Sequence, residues 1–65
     1  MRILKIIKII DDCFILEFSS GKIGRWSVSK AMSKVEDLEE YVKPENMEKA
    51  YIREEDGAMV LHTGI

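Results

Sequence analysis

Isoleucine crowds the start of the chain: seven of the nine lie in the first 23 positions. Branching at Cβ favours strand over helix. Ile3, Ile6, Ile7 and Ile10 also fit a helical stripe, but the segments that follow form a meander that requires a strand here. Asp11 and Asp12 separate two apolar runs, a pattern suited to a tight turn. CFILEF then alternates, with Phe14, Leu16 and Phe18 on one face and Cys13, Ile15 and Glu17 on the other. SSGK predicts the next turn, in which Gly21 is free to take a positive φ. KIGRWSV follows as a third strand.

From Ser27 the period changes. Val28, Met32, Val35, Leu38 and Val42 lie three and four positions apart, one face of a helix. Ser27 or Ser29 is placed to cap its start, and Ser33 with Glu36 offers a second capping-box spacing if the helix breaks there. Lys43-Pro44 ends the helix, because the residue before a proline avoids the α region. Pro44 then suits the first position of a short second helix, PENMEKA, anchored inward by Met47. AYIRE and AMVLH flank EEDG, an Asp-Gly signal for a closing hairpin. The predicted order is β-β-β-α-α-β-β in one domain over residues 1–65. The class is α+β, an antiparallel sheet with helices on one face.

The first strand carries a further clue. At period two, Ile3, Ile7 and Ile9 share a face with Lys5, while Leu4, Ile6 and Ile10 share the other with Arg2 and Lys8. Both faces are substantially apolar, and helices cover only one. A second copy is the simplest cover for the other, so the pattern predicts a homodimer that buries Leu4, Ile6 and Ile10 by face or by edge.

Length limits everything else. A chain of 65 residues and 7.5 kDa holds one thin core, too small for a multidomain enzyme, a repeat array or a doubly wound cofactor fold. The net charge of −2 hides an asymmetry: residues 1–34 carry a balance of +4 and residues 35–65 a balance of −6. Halves that face each other, or copies that meet head to tail, account for this more simply than a nucleic-acid surface, given a pI near 5.3. Cys13 is the single cysteine, so no internal disulfide forms and a disulfide-stapled secreted fold is not expected. MRILKIIKII is interrupted by Lys5 and Lys8 and lacks a small-residue cleavage site, unlike a signal peptide. No apolar run reaches the ~18 residues of a membrane span. The expected location is the cytoplasm.

Candidate chemistry is sparse. His62, the one histidine, has no neighbours at metal-ligand spacing and reads as a surface or strand-edge residue. Cys13 beside Asp12 becomes an activated thiol only if a cation adjoins it, and otherwise reads as a small strand residue. Asp11-Asp12 and Glu54-Glu55-Asp56 lack the alternating acidic pattern of a calcium loop and sit where turns are predicted. Arg25-Trp26 on the third strand suits a surface that stacks bases or anchors a protein, although a tryptophan in so small a chain more often lies in the core or a dimer interface. Glu36, Asp37, Glu39 and Glu40 form the solvated side of a helix or an acidic contact surface. A phosphate loop, a nucleophile elbow and a paired Cys or His site are all missing. The chain therefore reads as a non-enzymatic protein without cofactor or metal.

In its order of segments the chain resembles the small prokaryotic domain of unknown function numbered 2442. The matching stretches are ILEFSSGKIGRW, YVKPENMEKAYI and EEDGAMVLHTG, spanning nearly the whole chain. It departs from the family at Met47, where an aromatic is usual, and at Leu61, where many members carry tryptophan. His62-Thr63-Gly64 stands for a Pro-Asn-Gly-like segment, and the sequence ends before the polar tail of many members. The resemblance implies a small companion protein of toxin type, with this chain as the neutralising partner.

Two functions follow as expectations. The first is a homodimeric interaction module that binds a partner protein, with the acidic second half as the favoured contact surface and Arg25, Trp26, Glu36, Asp37, Glu39 and Glu40 as contact residues. The second is a nucleic-acid-associated module using Lys5, Lys8, Lys22, Arg25 and Trp26. A small-molecule site ranks behind both, since a chain of this size has little room for a pocket. No membrane partner is expected.

Overall fold

Strand β1 (Ile3–Ile10) is joined to β2 (Cys13–Phe18) by a two-residue turn, since Ile10 pairs directly with Cys13. Asp11 turns the corner at φ +54°, a left-handed conformation that Asp tolerates better than most residues. The second turn uses Gly21 at φ +88° and returns the chain into β3 (Ile23–Ser27). The computed structural model describes residues 2–63; Gly64, the last residue of the His62-Thr63-Gly64 segment, lies outside them. The three strands form an antiparallel sheet in the order β1-β2-β3. Single-turn helices α1 (Val28–Ala31), α2 (Leu38–Tyr41) and α3 (Pro44–Met47) follow. The closing hairpin, β4 (Tyr51–Ile52) and β5 (Met59–Val60), makes a separate two-stranded sheet. The class and strand order are those the pattern predicts, with hairpin strands shorter than AYIRE and AMVLH.

The period-two reading of β1 is corrected. Its ladder with β2 runs Ile3↔Phe18, Lys5↔Glu17, Ile6↔Leu16, Lys8↔Ile15, Ile9↔Phe14, with Leu4 and Ile7 as extra residues at two irregularities. Each inserted residue shifts the phase of the strand by one position. Ile3, Ile6 and Ile9 therefore turn together onto the face of Phe14 and Leu16 and pack against the core. Ile7 turns outward and Ile6 inward, the reverse of the simple alternation. β2, free of insertions on its own side, keeps the predicted faces, although Cys13 on the outer face is also buried.

The core is small: Phe14, Leu16, Val28 and Met47 are buried, ringed by Trp26, Met32, Leu38, Val42 and Met59 among others. The helices cover the inner face of the sheet. Ser27 caps α1 as the sequence predicts, its side chain accepting from the Lys30 amide. The continuous helix over Val28–Val42 does not form. It breaks after Ala31 and restarts at Leu38, leaving Val35 exposed. A helix through this stretch would stack Glu36 on Glu39 and Glu40 at like-charge spacings, and Ser29 and Ser33 are weak helix formers. The restart is capped by Asp37, without a side-chain hydrogen bond, rather than by Ser33 and Glu36. Pro44 opens α3 and Met47 anchors it, as expected.

Two contacts tie the later segments to this frame. Asn46, buried, donates its side-chain amide to the carbonyls of Glu40 and Thr63, each at 2.8 Å. Gly57, at φ +69°, lies so close to Arg2 that a Cβ there would approach its Cβ to 2.7 Å. Its carbonyl accepts from the Ile3 amide at 3.0 Å, and the Arg2 guanidinium donates to the carbonyls of Glu54 and Glu55. The hairpin is thus docked on the start of β1.

The phase shift in β1 is directly testable. Ile6→Lys places an ammonium among apolar side chains and is expected to cost ~2–4 kcal/mol, whereas Ile7→Lys stays within about 0.5 kcal/mol of the parent. Urea unfolding of the two variants measures this; equal losses would contradict the bulged register.

Candidate functional site

The register that packs Ile3, Ile6 and Ile9 of β1, partly buried, against the core turns the other five, Leu4, Lys5, Ile7, Lys8 and Ile10, toward the outer side of the sheet. Beside them stand Ile15 and Glu17 of β2, and Ile23 and Arg25 of β3, in the rungs Lys5–Glu17–Ile23 and Lys8–Ile15–Arg25. This face is aliphatic and basic. Leu4, Ile7, Ile10 and Ile23 are 56%, 43%, 43% and 58% exposed. Lys5 lies 3.6 Å from Glu17, while among the described residues Lys8 and Arg25 have no carboxylate within 4.0 Å.

At the turn end, the face runs into an open cleft of about 720 Å³ between the β1–β2 turn and α1. Asp12 organises it. One carboxylate oxygen accepts from the Cys13 thiol at 3.4 Å; the other accepts from the Ser27 hydroxyl at 3.1 Å and the Ser29 amide at 3.3 Å. Its backbone carbonyl accepts from Val28 at 3.0 Å. A single turn residue therefore fastens the first hairpin to the start of α1. Hydrogen bonds from Ser29, then Cys13 and Ser27, hold the Asp12 carboxyl at about 2, below its ordinary 3.8.

Arg25 reaches over β2 and donates its Nε–H to the Cys13 sulfur at 3.4 Å. That hydrogen bond holds the Arg25 pKa above its ordinary value. The cation that an activated thiol needs is thus present, but Cys13 is 3% exposed and also donates to Asp12. The thiol is a link in a chain from Arg25 to Asp12. Lys30, exposed on α1, lines the same cleft.

The candidate residues fall on separate surfaces. Arg25 is on the outer face. Trp26, one position on, turns to the inner face, half-buried with its ring centroid 6.3 Å from that of Phe14. It lines both the Asp12 cleft, together with Arg25 and Lys30, and an apolar crevice of about 270 Å³ with Ile3, Leu16, Phe18, Met59 and Leu61. Glu36, Asp37, Glu39 and Glu40 belong to α2 and the turn before it, where Glu40 pairs with Lys43 at 3.1 Å. Of Leu4, Ile6 and Ile10, the outer residues are Leu4 and Ile10; Ile6 joins the core.

The other acidic clusters serve turns. Asp56 accepts from the Arg53 guanidinium and from the Ala58 amide, and these contacts hold its carboxyl at about 2. His62 is exposed beyond β5. Among the described residues, no three His, Cys, Asp or Glu side chains gather at metal-binding distance, and no helix is long and apolar enough to cross a membrane. Sequence reasoning missed the cleft itself and the roles of Ser29 and Lys30. Its one available signal was Asp12 followed by the Ser27-Val28-Ser29 cap.

No family model, curated protein or solved structure matches this chain.

The Asp12 geometry predicts an acid response. A carboxyl whose folded pKa lies below its unfolded value stabilises the fold above pH ~4, and that stability is lost as pH falls toward about 2. Asp56 acts in the same window. Asp12→Ala is expected to be less stable at pH 7 and to lose less stability between pH ~4 and ~2. Far-UV circular dichroism during urea unfolding at each pH reads both; an unchanged pH slope would count against the role of Asp12.

Proposed function

We propose that the chain is a non-enzymatic protein-interaction module that receives a partner on the outer face of its three-stranded sheet. The observation that carries this reading is the exposed row Leu4, Ile7, Ile10 and Ile23, interleaved with Lys8 and Arg25, which have no carboxylate within 4.0 Å among the described residues. Several exposed aliphatic side chains on one sheet face favour a protein contact. The cations select a partner surface that offers carboxylates between its own aliphatic side chains.

Charge also ranks the alternatives. A second copy packed face to face would bring Lys5, Lys8 and Arg25 against their counterparts, with Glu17 as the balancing anion on the outer rungs. An acidic partner meets no such opposition. The nucleic-acid reading keeps Lys5, Lys8 and Arg25 on one face, but its stacking group, Trp26, stands half-buried against Phe14 at the rim of the Asp12 cleft rather than on that face. The resemblance to family 2442 supports a small toxin-like protein as that partner, with this chain neutralising it.

An alternating leucine–glutamate hexapeptide serves as a defined probe for the labelled protein in NMR titration. Shifts are expected at Leu4, Ile7, Ile10 and Ile23, with affinity reduced about tenfold by Lys8→Glu. The lysine counterpart of the peptide is expected to leave these signals unmoved. Absence of binding by the acidic peptide, or binding confined to Glu36–Glu40, would overturn the reading, as would tighter binding of duplex DNA or RNA at the same salt.

A further inference from the structure

The outer face does not end evenly. Its last rung, Ile10–Cys13–Ser27, borders the polar cleft in which Arg25 and Lys30 stand. The lining carboxylate, Asp12, is already engaged by Ser27, Ser29 and Cys13. Arg25 is held by its Nε–H on Cys13 at 3.4 Å; Asp12 and Asp11 attract the guanidinium from a distance, and among the described residues its terminal nitrogens have no carboxylate within 4.0 Å. A guanidinium tethered at Nε presents Nη1 and Nη2 as an oriented pair of donors, the arrangement that fits two carboxylate oxygens at once. Lys30 adds a second cation to the same cleft.

From this geometry we infer that the cleft is the anchoring pocket for one aspartate or glutamate side chain of the partner, forked by Nη1 and Nη2 of Arg25 and flanked by Lys30. The inference rests on the outer-face reading and adds to it a point of specificity. Asp12 narrows the choice of anion: its negative charge in the cleft opposes a dianionic phosphate more strongly than a monoanionic carboxylate. It also separates two kinds of cation on this surface. Lys8 contributes attraction that a neighbouring lysine or arginine replaces, whereas Arg25 acts through a planar fork that lysine does not supply. Cys13 is a positioning residue, since its sulfur fixes the direction of that fork.

Titration of the leucine–glutamate hexapeptide into Arg25→Lys, with the Arg25 Nε–H followed in the parent protein, tests the inference. The Nε–H and the Lys30 amide are expected to shift with the same affinity as the Leu4 and Ile7 methyls. Arg25→Lys is expected to bind about tenfold more weakly, and Lys8→Arg as well as the parent. Cys13→Ala is expected to weaken binding with its far-UV spectrum retained. If the methyls shift while the Nε–H stays still, or Arg25→Lys binds like the parent, the pocket is overturned and the outer-face reading stands. If neither set shifts, both fail together. If Arg25→Lys has lost its fold, judged by its spectrum, the Nε–H response of the parent decides the matter.

Discussion

The ladder between β1 and β2 constrains everything built on it. The six residues of β2 pair with six of the eight in β1, and the two extra residues have to be accommodated without breaking the sheet. Placing them as separate bulges keeps Ile3, Ile6 and Ile9 in register with Phe18, Leu16 and Phe14. The inner face thus receives a continuous apolar row, and the surplus is displaced to the other side. A core of four buried side chains leaves little latitude: a slip by one residue would put Lys5 or Lys8 against Phe14 or Leu16. The exposed aliphatic row is the counterpart of that solution, since the same insertions that preserve the core place Leu4 and Ile7 outside.

Much of this architecture was legible in the residues. The β2 boundaries, both turns, the Ser27 cap and the Pro44 start rest on local chemistry, in which a side chain acts on its own backbone or that of its neighbours. What was not legible depends on pairing across the chain. Nothing in ILKIIKII marks Leu4 and Ile7 as insertions, because a bulge is defined by the partner strand and β2 carries no sign of it. The double role of Asp12 was half visible. A turn aspartate was expected, but its bonds to Ser27 and Ser29 span 15 and 17 positions. Asn46 escaped for the same reason, joining Glu40 to Thr63 through one amide. The helix failed where carboxylate repulsion outweighed the apolar stripe, two local signals that conflict in Val35–Glu40.

Side-chain hydrogen bonds do unusual service in so small a fold. The helices are single turns, too short to hold themselves in water, and they persist because their ends are attached elsewhere. α1 hangs from Asp12 and Ser27, and α2 is tied through the Glu40 carbonyl to Asn46 on α3. The candidate site inherits that rigidity. Arg25 projects from a strand, Lys30 from a helix whose first turn is fastened to the same aspartate, and the distance between them is set by the frame.

β3 is an edge of its sheet, and open edges invite copies of a protein to add themselves strand by strand. Arg25 is the central residue of this five-residue strand. Any antiparallel self-pairing centred on β3 sets one guanidinium directly across from another, in a position where like charges repel. The arginine that faces outward therefore has a second effect: it discourages the chain from becoming a template for fibrils of itself.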